Sequence, residues 1–599
     1  MMLSLVLLGA VFQITFVGGG SVGATVGPQL QPPTSTSSAK DKCTVTGIVT
    51  SMQTGEPLKK ATLHLTMRNT SRNLNAAFEQ TGYSGTSGPD GSFKFEAVEP
   101  GEYALSGERT GYITTQYGSK NGMTGGSMLN LTPGQQLTGV KIQLVAQATI
   151  TGRVLDEDGD PVGGMQVIAY GRMWMQGAKP RYFPMGQVTT DDTGSYRLAN
   201  LRPGKYYVST QSQRNQMMGV HEKPAEPGKP DIRPVTTFYP SSLDLTGASA
   251  VELKPGQEMP GIEIRIRAVQ TFHVRGKVAG DIGGGENDNR RVMLVINPVG
   301  EAGGILSFFN GMTMVSKDHT FDMSGVTPGS YVITNANSGG KNDSIRQVVE
   351  VGSGDVEGIM LTPQPTFAIH GSVELQGTLA GSAKDKALEG IVVMLAPDDM
   401  TTMMMHSAQA TTKTDGSFTM ENVVPSKFRV RVMNEPEGAY VKSVRFGSQE
   451  ALGKTLDLTQ AGGGDLHVTL RAAAAEVSGT VMAKNEDAAS GNSSAMAPAS
   501  GVSVLLIPED LTRDGGSVHT SGTNLNGAFT EKGLAPGTYY AVAFETDEYR
   551  NFDDPVILKQ LVAKGVKVEV KENDKRQVQV TLLPAQELRA ALTAAGTEN

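Results

Sequence analysis

One spacing recurs five times along the 599-residue chain and constrains its fold more than any other feature. In each copy an aromatic residue is followed seven positions later by proline and ten positions later by a second aromatic residue. The five sets are Phe93, Pro100 and Tyr103; Tyr196, Pro203 and Tyr206; Phe321, Pro328 and Tyr331; Phe418, Pro425 and Phe428; and Phe529, Pro536 and Tyr539. A pattern repeated in this way indicates one structural unit copied along the chain.

The residues around each set predict a pair of β-strands. In the first copy, Asp90-Gly91 supplies the positive φ angles that a tight hairpin turn requires. Phe93 and Phe95 then alternate with polar residues, which is the period of a strand with one buried face. Pro100-Gly101 fits the centre of a type II turn, and a second alternating strand follows. The fifth copy departs from the pattern, because Glu531 takes an inward position.

A second signature, an apolar-x-Gly-x-Val strand, marks the start of each unit. Its glycines are Gly47, Gly152, Gly276, Gly371 and Gly479. Successive glycines stand about 100 residues apart, the size of an antiparallel sandwich of about seven strands. The predicted fold is therefore all-β, with five seven-stranded antiparallel β-sandwich domains in tandem. No stretch of these domains shows sustained helical periodicity, and the best helix candidate is the tail 585–595.

These signatures divide the chain into five predicted domains, called units 1 to 5 below. Short junctions such as 145–148 and 364–367 predict neighbours that nearly abut and form a rod. The predicted segments are a signal peptide, 1–24; a linker, 25–42; unit 1, 43–147; unit 2, 148–269; unit 3, 270–367; unit 4, 368–475; unit 5, 476–584; and a tail, 585–599.

The amino-terminal segment predicts export. Residues Met1–Val17 are almost wholly apolar, and Val22-Gly23-Ala24 suits signal peptidase, although no Lys or Arg precedes Lys40. The apolar run is too short for a transmembrane helix, which needs about 20 residues. The Pro- and Ser-rich stretch that follows is typical of a flexible linker. We therefore expect no membrane span in the mature chain and a periplasmic, cell-envelope or extracellular location.

Charge and cysteine content exclude several classes of function. The net charge of −8 gives no concentrated positive surface for nucleic acid. The single cysteine, Cys43, excludes an intrachain disulfide framework and a cysteine-based zinc cage. The eight histidines are scattered, and no two of them form a local metal motif. The cores must therefore be held together by apolar packing.

The order of these motifs resembles that of the carboxypeptidase regulatory-like domain and is similar to the Cna B-type repeats of bacterial surface proteins. Unit 2 carries the resemblance most fully, in Gly152–Val154, Asp158–Val162 and Asp192–Tyr206. It covers nearly all of residues 43–583 as five copies. The resemblance implies a bacterial protein of prealbumin-like β-sandwiches, a carbohydrate-binding-like fold that some starch-binding modules share, and says little about function.

The resemblance does not imply an enzyme. A zinc carboxypeptidase would need a His-x-x-Glu pair with a distant histidine, and none of the eight histidines is followed three residues later by Glu. Cna B-type repeats often carry a Lys–Asn isopeptide crosslink. Lys277 stands in the right kind of first strand, but 355–361 offers no matching Asn. We therefore expect no catalytic residues, no metal and no cofactor.

Two clusters of possible metal ligands, one acidic and one rich in methionine, are better interpreted as loops. Asp156–Asp160 lacks the glycine and glutamate spacing of an EF-hand and fits a hairpin turn. Met400–His406 places thioethers beside an imidazole, a set that suits Cu(I), but no second histidine is near. Neither cluster predicts a metal site.

Aromatic residues in unit 2 are the candidate ligand contacts. Trp174, Tyr182, Phe183 and Tyr239 could stack on a sugar or a partner if exposed, or cover the edge of the sandwich if buried. The predicted function is a non-catalytic exported scaffold, structural or adhesive. Its predicted partner is a protein or polysaccharide of the cell envelope. The alternative is carbohydrate binding through these aromatic residues, and a zinc carboxypeptidase is disfavoured.

Overall fold

The computed structural model describes residues 38–67, 82–119, 126–173, 181–211, 231–280, 292–299, 311–336, 344–379, 387–397, 408–460, 464–484, 496–511, 518–524, 526–545 and 555–594. The predicted signal peptide 1–24 lies outside them, as do Trp174 and all of Met400–His406. Of the predicted linker, only its end is described, where Ala39–Asp41 forms a short 3-10 helix.

The regular secondary structure of the described residues is almost entirely strand, which confirms the all-β prediction. Unit 1 contains β1 (Cys43–Ser51), β2 (Thr62–Met67), β3 (Gly82–Thr86), β4 (Ser92–Val98), β5 (Gly101–Glu108), β6 (Tyr112–Ile113), β7 (Thr115–Gln116), β8 (Met128–Leu131) and β9 (Gln136–Ala146). These strands form two sheets, ordered β4-β1-β9-β6 and β3-β2-β5-β7, with β8 also paired to β5. The first sheet is called the inner sheet below and the second the outer sheet, and the same pair recurs in units 2 to 4.

Unit 2 contains β10 (Ala148–Leu155), β11 (Gln166–Met173), β12 (Arg181–Thr189), β13 (Ser195–Leu201), β14 (Gly204–Gln211), β15 (Ile232–Pro234), β16 (Thr237–Phe238), β17 (Val251–Leu253), β18 (Glu258–Met259), β19 (Ile264–Arg265) and β20 (Ala268–Gln270). Unit 3 contains β21 (Phe272–Val278), β22 (Met293–Pro298), β23 (Met312–Met314), β24 (Thr320–Val326), β25 (Gly329–Ala336), β26 (Arg346–Val351) and β27 (Val356–Leu361). In unit 2 the strands β15 and β20 form a separate two-stranded sheet.

Unit 4 contains β28 (Phe367–Gln376), β29 (Val392–Pro397), β30 (Ala408–Thr411), β31 (Ser417–Val423), β32 (Lys427–Met433), β33 (Tyr440–Phe446), β34 (Gln449–Glu450), β35 (Thr455–Asp457) and β36 (Leu466–Arg471). Unit 5 contains β37 (Ala475–Lys484), β38 (Met496–Pro498), β39 (Ser503–Pro508), β40 (His519–Gly522), β41 (Ala528–Leu534), β42 (Gly537–Phe544), α1 (Pro555–Val562), β43 (Val566–Val570) and β44 (Lys575–Leu583), and α2 (Ala585–Ala594) follows. Because β44 pairs with both β37 and β42, the two layers of unit 5 join into one sheet.

The paired aromatic residues lie where their alternation predicts. Each of the five largest apolar clusters in the described part of the chain draws on one unit. All ten aromatic residues of the repeated spacing are buried in these clusters, with Tyr103 and Phe428 completely buried. The tyrosine after each Pro-Gly turn also hydrogen-bonds four residues back, as when the Tyr103 hydroxyl donates to the Glu99 carbonyl. In unit 5 the inward Glu531 lies 3.5 Å from His519 Nδ1.

In every unit the pairing departs from a wholly antiparallel sandwich. The first strand pairs in parallel with the strand or strands that close the unit, as β1 does with β9 and β37 with β44. Hairpin turns force antiparallel pairing only between consecutive strands, and these partners are far apart in sequence. The turn motifs therefore do not encode this direction.

The recurring glycine is required by this parallel pairing. An ideal Cβ on Gly47, Gly152 or Gly276 would lie 1.8–1.9 Å from a carbonyl oxygen of the closing segment. The carbonyl belongs to Val140, Ile262 and Ile359 respectively. Gly371 and Gly479 face the Leu466 and Val578 carbonyls in the same way, at 2.4 and 2.0 Å. Only glycine permits so close an approach of two backbones.

A buried hydroxyl, which the sequence analysis did not identify, fastens the loop before the outer sheet in four units. In unit 2 the Thr190 hydroxyl donates to the Val162 carbonyl at 2.8 Å and accepts the Met165 N–H at 2.9 Å. We call this arrangement the hydroxyl clasp. Ser87, Thr412 and Thr523 form it in units 1, 4 and 5. Unit 3 has Val315 at the corresponding place, where only the backbone bond to Val292 remains.

Removing one clasp is expected to destabilise its unit. Thr190→Val leaves the Met165 N–H and the Val162 carbonyl without their side-chain partner, at a cost of about 1–3 kcal/mol. Hydrogen exchange followed by mass spectrometry should show faster exchange in peptides of residues 148–211 only. Thr151→Val, at a half-buried strand position outside the clasp, is the matched control and should change little. Equal exchange in the two variants would contradict the role given to the clasp.

The helices match the prediction at one place and not at another. The tail prediction 585–595 is confirmed by α2. The sequence does not predict α1, because this eight-residue segment is too short for its apolar pattern to distinguish a helix from a buried strand. Ile557, Leu558 and Leu561 of α1 pack on the outer sheet of unit 5. Neither helix of the described residues has the length and apolar character needed to cross a membrane.

Neighbouring units contact one another, and unit 1 also contacts unit 5. Units 4 and 5 share a small apolar cluster around Tyr440 and Ala535 and an Arg471–Glu572 ion pair. Ser127 of unit 1 hydrogen-bonds to Thr523 of unit 5. The rod expected from the short junctions is therefore wrong, because that expectation considered only junctions between consecutive units.

Candidate functional site

The outward face of the outer sheet is where the units differ chemically. Successive side chains of a strand point to opposite faces of the sheet, so every second residue packs in the core and the residues between them can differ from unit to unit. In unit 1 this face is polar, and His64 Nδ1 lies 3.2 Å from the Ser84 hydroxyl. In unit 4 the same face of β32 carries Arg429 and Arg431, whose neighbours Phe428 and Val430 point into the core. A common core thus carries surfaces of different chemistry.

Unit 2 has an aromatic cluster on this face. Ile168, Tyr170 and Phe238 are buried there, and Tyr182 and Tyr207 pack against them. The rings of Tyr182 and Tyr207 meet edge to face with centroids 5.3 Å apart, and those of Tyr170 and Phe238 lie 6.4 Å apart. Burial raises the pKa of Tyr170 to about 12, so its hydroxyl keeps its proton at physiological pH.

The structure does not bring the candidate ligand contacts together on one face. Tyr182 lies opposite Arg172 and belongs to the outward aromatic cluster. Phe183 lies opposite Gly171, which in turn faces the core residue Tyr206, so Phe183 points to the other side of the sheet. Tyr239 packs against the main core of unit 2. Trp174 lies outside the described residues, and the ligand role of all four remains a prediction.

In unit 5 the corresponding face is partly covered. Leu505 and Ile507 of β39 and Val542 and Phe544 of β42 point outward and are buried beneath α1, with Leu588 of α2 in the same cluster. The helices thus replace an open surface by a second small core. They cover the apolar part of this face, whereas Lys567 and Glu569 of β43, opposite Tyr540 and Thr538, remain exposed.

A charged cluster lies on the inner sheet of unit 3. Arg275 Nη1 lies 3.0 Å from Asp355 Oδ2 and 2.6 Å from Glu357 Oε1, and its Nε donates to Asp322 at 3.0 Å. His273 Nδ1 lies 2.7 Å from the same Asp322. The hydrogen bond from the His273 amide lowers the pKa of Asp355. Arg275 thus bridges all three carboxylates, which makes the cluster an ion-pair network.

The acidic loop and the candidate crosslink lysine form no metal or crosslink site among the described residues, and Met400–His406 lies outside them. Among the described ranges, no three His, Cys, Asp or Glu side chains are grouped to hold a metal. The Asp156 carboxylate accepts the amides of Asp158 and Asp160, which confirms a turn in the acidic loop. Lys277 is exposed and pairs across the sheet with Thr320 and Met360, so no asparagine faces it.

The hairpin turns are fixed by local hydrogen bonds. The Asp90 carboxylate accepts the Ser92 hydroxyl at 2.6 Å and the Ser92 amide at 3.0 Å, and these bonds lower the pKa of Asp90. Asp415 makes the same bonds with Ser417. In unit 2 the acceptor is Asp191, one residue before the aspartate that the sequence motif emphasised. These carboxylates are committed to the turns and are poor candidates for acid–base chemistry.

Comparison with known proteins identifies the sequence family of the first two units. Residues 44–145 and 149–219 match the model of the carboxypeptidase regulatory-like domain. No curated protein matches the sequence.

Several solved structures share weak likeness with the chain. The Bacillus anthracis TIE protein is 12% identical with a TM-score of 0.15, covering 54% of this chain and 51% of its own, so this chain spans about half of it. The minor pilin GBS52 of Streptococcus agalactiae is 11% identical with a TM-score of 0.22, covering 40% of this chain and 99% of its own. Two B repeat units of the collagen binding protein of Staphylococcus aureus are 13% identical with a TM-score of 0.12, covering 72% and 99%.

These scores carry no argument about the function or assembly of this chain, and its fold rests on the strands described above. Across residues 44–145 and 149–219 the chain is thus similar to the carboxypeptidase regulatory-like domain.

Proposed function

We propose that this protein is a non-catalytic exported scaffold that acts in structure or adhesion, with a protein or polysaccharide of the cell envelope as its partner. One observation supports the proposal most directly. The units share the same kind of core, but the outward faces of their outer sheets differ in chemistry. The polar face of unit 1, the aromatic cluster of unit 2 and the arginines of unit 4 suit binding to different surfaces. The carboxylates and histidines of the described sites are committed to turns and ion pairs, which supports a role without catalysis.

Export and the lack of catalysis are tested on the protein from its producing cells. We expect the envelope or culture fraction to contain a chain that begins after Ala24, as measured by intact mass. We also expect no peptide hydrolysis with added zinc. A full-length chain confined to the cytoplasm would contradict export, and zinc-dependent turnover by the purified protein would overturn the non-catalytic assignment.

Carbohydrate binding through unit 2 is the second candidate. The half-buried Tyr182 and Tyr207 meet at the outward face, and aromatic rings in such positions supply flat apolar area for a sugar. Trp174 directly follows β11, which carries this cluster. The expected ligand is a polysaccharide of the cell envelope.

A glycan array separates the two candidates. The scaffold role does not depend on the aromatic cluster, so it predicts that Trp174→Ala and Tyr182→Ala leave any glycan binding by the full chain unchanged. Carbohydrate binding predicts saturable binding that falls at least about tenfold in Trp174→Ala and in Tyr182→Ala, equivalent to about 1.4 kcal/mol. Tyr112→Ala, at a half-buried aromatic residue of unit 1, is the control and should bind like the unaltered protein.

A further inference from the structure

The first and last units meet at a contact between residues 396 positions apart. The Ser127 hydroxyl of unit 1 donates to the Thr523 carbonyl of unit 5 at 2.9 Å. Ser127 is 4% exposed and Thr523 is 1% exposed, so the bond is shielded from water. We propose that the hydroxyl clasp of unit 5 is a docking site for unit 1 of the same chain and that this contact keeps the five units closed in solution.

The donor side of the contact is held rigidly. The Ser127 amide donates to the Tyr117 carbonyl at 2.7 Å, and the Gly126 amide donates to Gln116 Oε1 at 3.0 Å. Gly118 lies directly beside Ser127, and a Cβ on Gly118 would sit 2.4 Å from the Ser127 hydroxyl oxygen. The Ser127 hydroxyl is therefore positioned before unit 5 is met, which lowers the entropic cost of docking.

The acceptor side differs from the other clasps. The Thr523 carbonyl accepts the Gly501 amide at 3.2 Å, as the Thr190 carbonyl accepts the Gly164 amide at 3.1 Å in unit 2. In unit 5 the second lone pair of this carbonyl takes the Ser127 hydroxyl. A Cβ on Gly501 would lie 1.9 Å from the Gly118 carbonyl oxygen, whereas a Cβ on Gly164 would meet nothing within 4 Å. The close approach at Gly501 thus comes from unit 1 and not from unit 5 itself.

Charge supports the same arrangement. Lys532 of unit 5 bonds to Glu437 of unit 4 at 2.7 Å, and this bond raises the pKa of Lys532. The charge of Glu102 in unit 1 acts on Lys532 in the same direction. One lysine of unit 5 is therefore stabilised by carboxylates of units 1 and 4. Unit 1 therefore lies within electrostatic reach of the unit 4–unit 5 junction.

The closed arrangement is tested by measuring the efficiency of fluorescence energy transfer between dyes attached to units 1 and 5 of the full chain. The cysteine pair Thr114→Cys and Thr530→Cys uses exposed positions, and the native Cys43 is fully buried. Two touching units of about 100 residues span at most about 70 Å, whereas the end units of a straight row lie about 140 Å apart. We expect strong transfer that does not change when labelled chains are diluted with unlabelled chains.

Gly501→Asn is the variant that tests the docking site. Asn tolerates the φ of +67° at this position, so the substitution blocks the approach of Gly118 without forcing the turn to change. Transfer should fall by more than half, and the radius of gyration from X-ray scattering should rise. Gly164→Asn has a φ of +73° and open space around it, and is the matched control that should stay closed.

Ser127→Glu approaches the same contact from unit 1, in case the first variant perturbs unit 5. It places a charge against the Thr523 carbonyl and should also reduce transfer, while Ser353→Glu at an exposed site in unit 3 should not. Weak transfer in the parent pair, or strong transfer in both docking variants, would overturn the proposal. Transfer lost on dilution with unlabelled chains would show that unit 5 docks on a second copy, which would also overturn it.

Discussion

Gly276→Ala is expected to lower the free energy of unfolding of unit 3 by about 3 kcal/mol or more, the upper end of the cost of overpacking. The new Cβ would lie 1.9 Å from the Ile359 carbonyl oxygen and 2.7 Å from its carbon, so the parallel pair β21–β27 must separate. A backbone carbonyl cannot move aside as a flexible side chain can. Urea titration read by hydrogen exchange should show peptides of residues 272–361 opening first.

A glycine of the same unit provides the control. Gly352 is exposed, does not have a positive φ, and has nothing within 4 Å of an added Cβ. Gly352→Ala should change the stability of unit 3 by no more than about 0.5 kcal/mol. If the two variants unfold at the same urea concentration, the close approach of β27 does not explain the glycine motif.

Tyr103→Ala is expected to have the largest effect of a side-chain truncation in unit 1. Tyr103 is completely buried in the core, and removal of a large aromatic side chain from such a site costs about 3–5 kcal/mol. Tyr103→Phe keeps the ring and loses only the hydroxyl bond to the Glu99 carbonyl, at a cost of about 1 kcal/mol. Unit 4 has Phe428 at the corresponding position, so the ring without the hydroxyl is compatible with the fold.

Hydrogen exchange resolves where the Tyr103 variants act. Because the core of unit 1 contains residues 43–144 only, protection should fall in that segment and stay unchanged in residues 369–470 of unit 4. Equal loss in both segments would contradict the separation of the cores. A Tyr103→Phe variant as unstable as Tyr103→Ala would assign the main contribution to the hydroxyl instead of the ring.

The candidate ligand surface was only partly predictable. The sequence placed Tyr182 and Phe183 together because they are adjacent, whereas strand alternation puts them on opposite sides of β12. The partners of Tyr182 are Tyr207 and, beneath them, Tyr170 and Phe238, which come from three other strands. No local motif joins these positions, so the outward cluster follows only from the pairing of β11 with β12 and β14.

The charged cluster of unit 3 illustrates the same limit. Arg275 meets Asp355 and Glu357 across 80 and 82 residues of sequence. In the sequence, each of these residues looks like an ordinary solvent-facing residue of a strand with alternating polar and apolar positions. The register of β21 against β27 makes them neighbours.

The sequence by itself determined the repeated strands, the turns between them and the aromatic residues that fill each core. These features depend on alternation and on Asp, Gly and Pro within about ten residues, so the local chain encodes them. Only the tertiary structure decided the parallel closing strand, the composition of each outward face and the meeting of Ser127 with Thr523. Those contacts join residues separated by tens to hundreds of positions, and their geometry is fixed by how whole sheets pack.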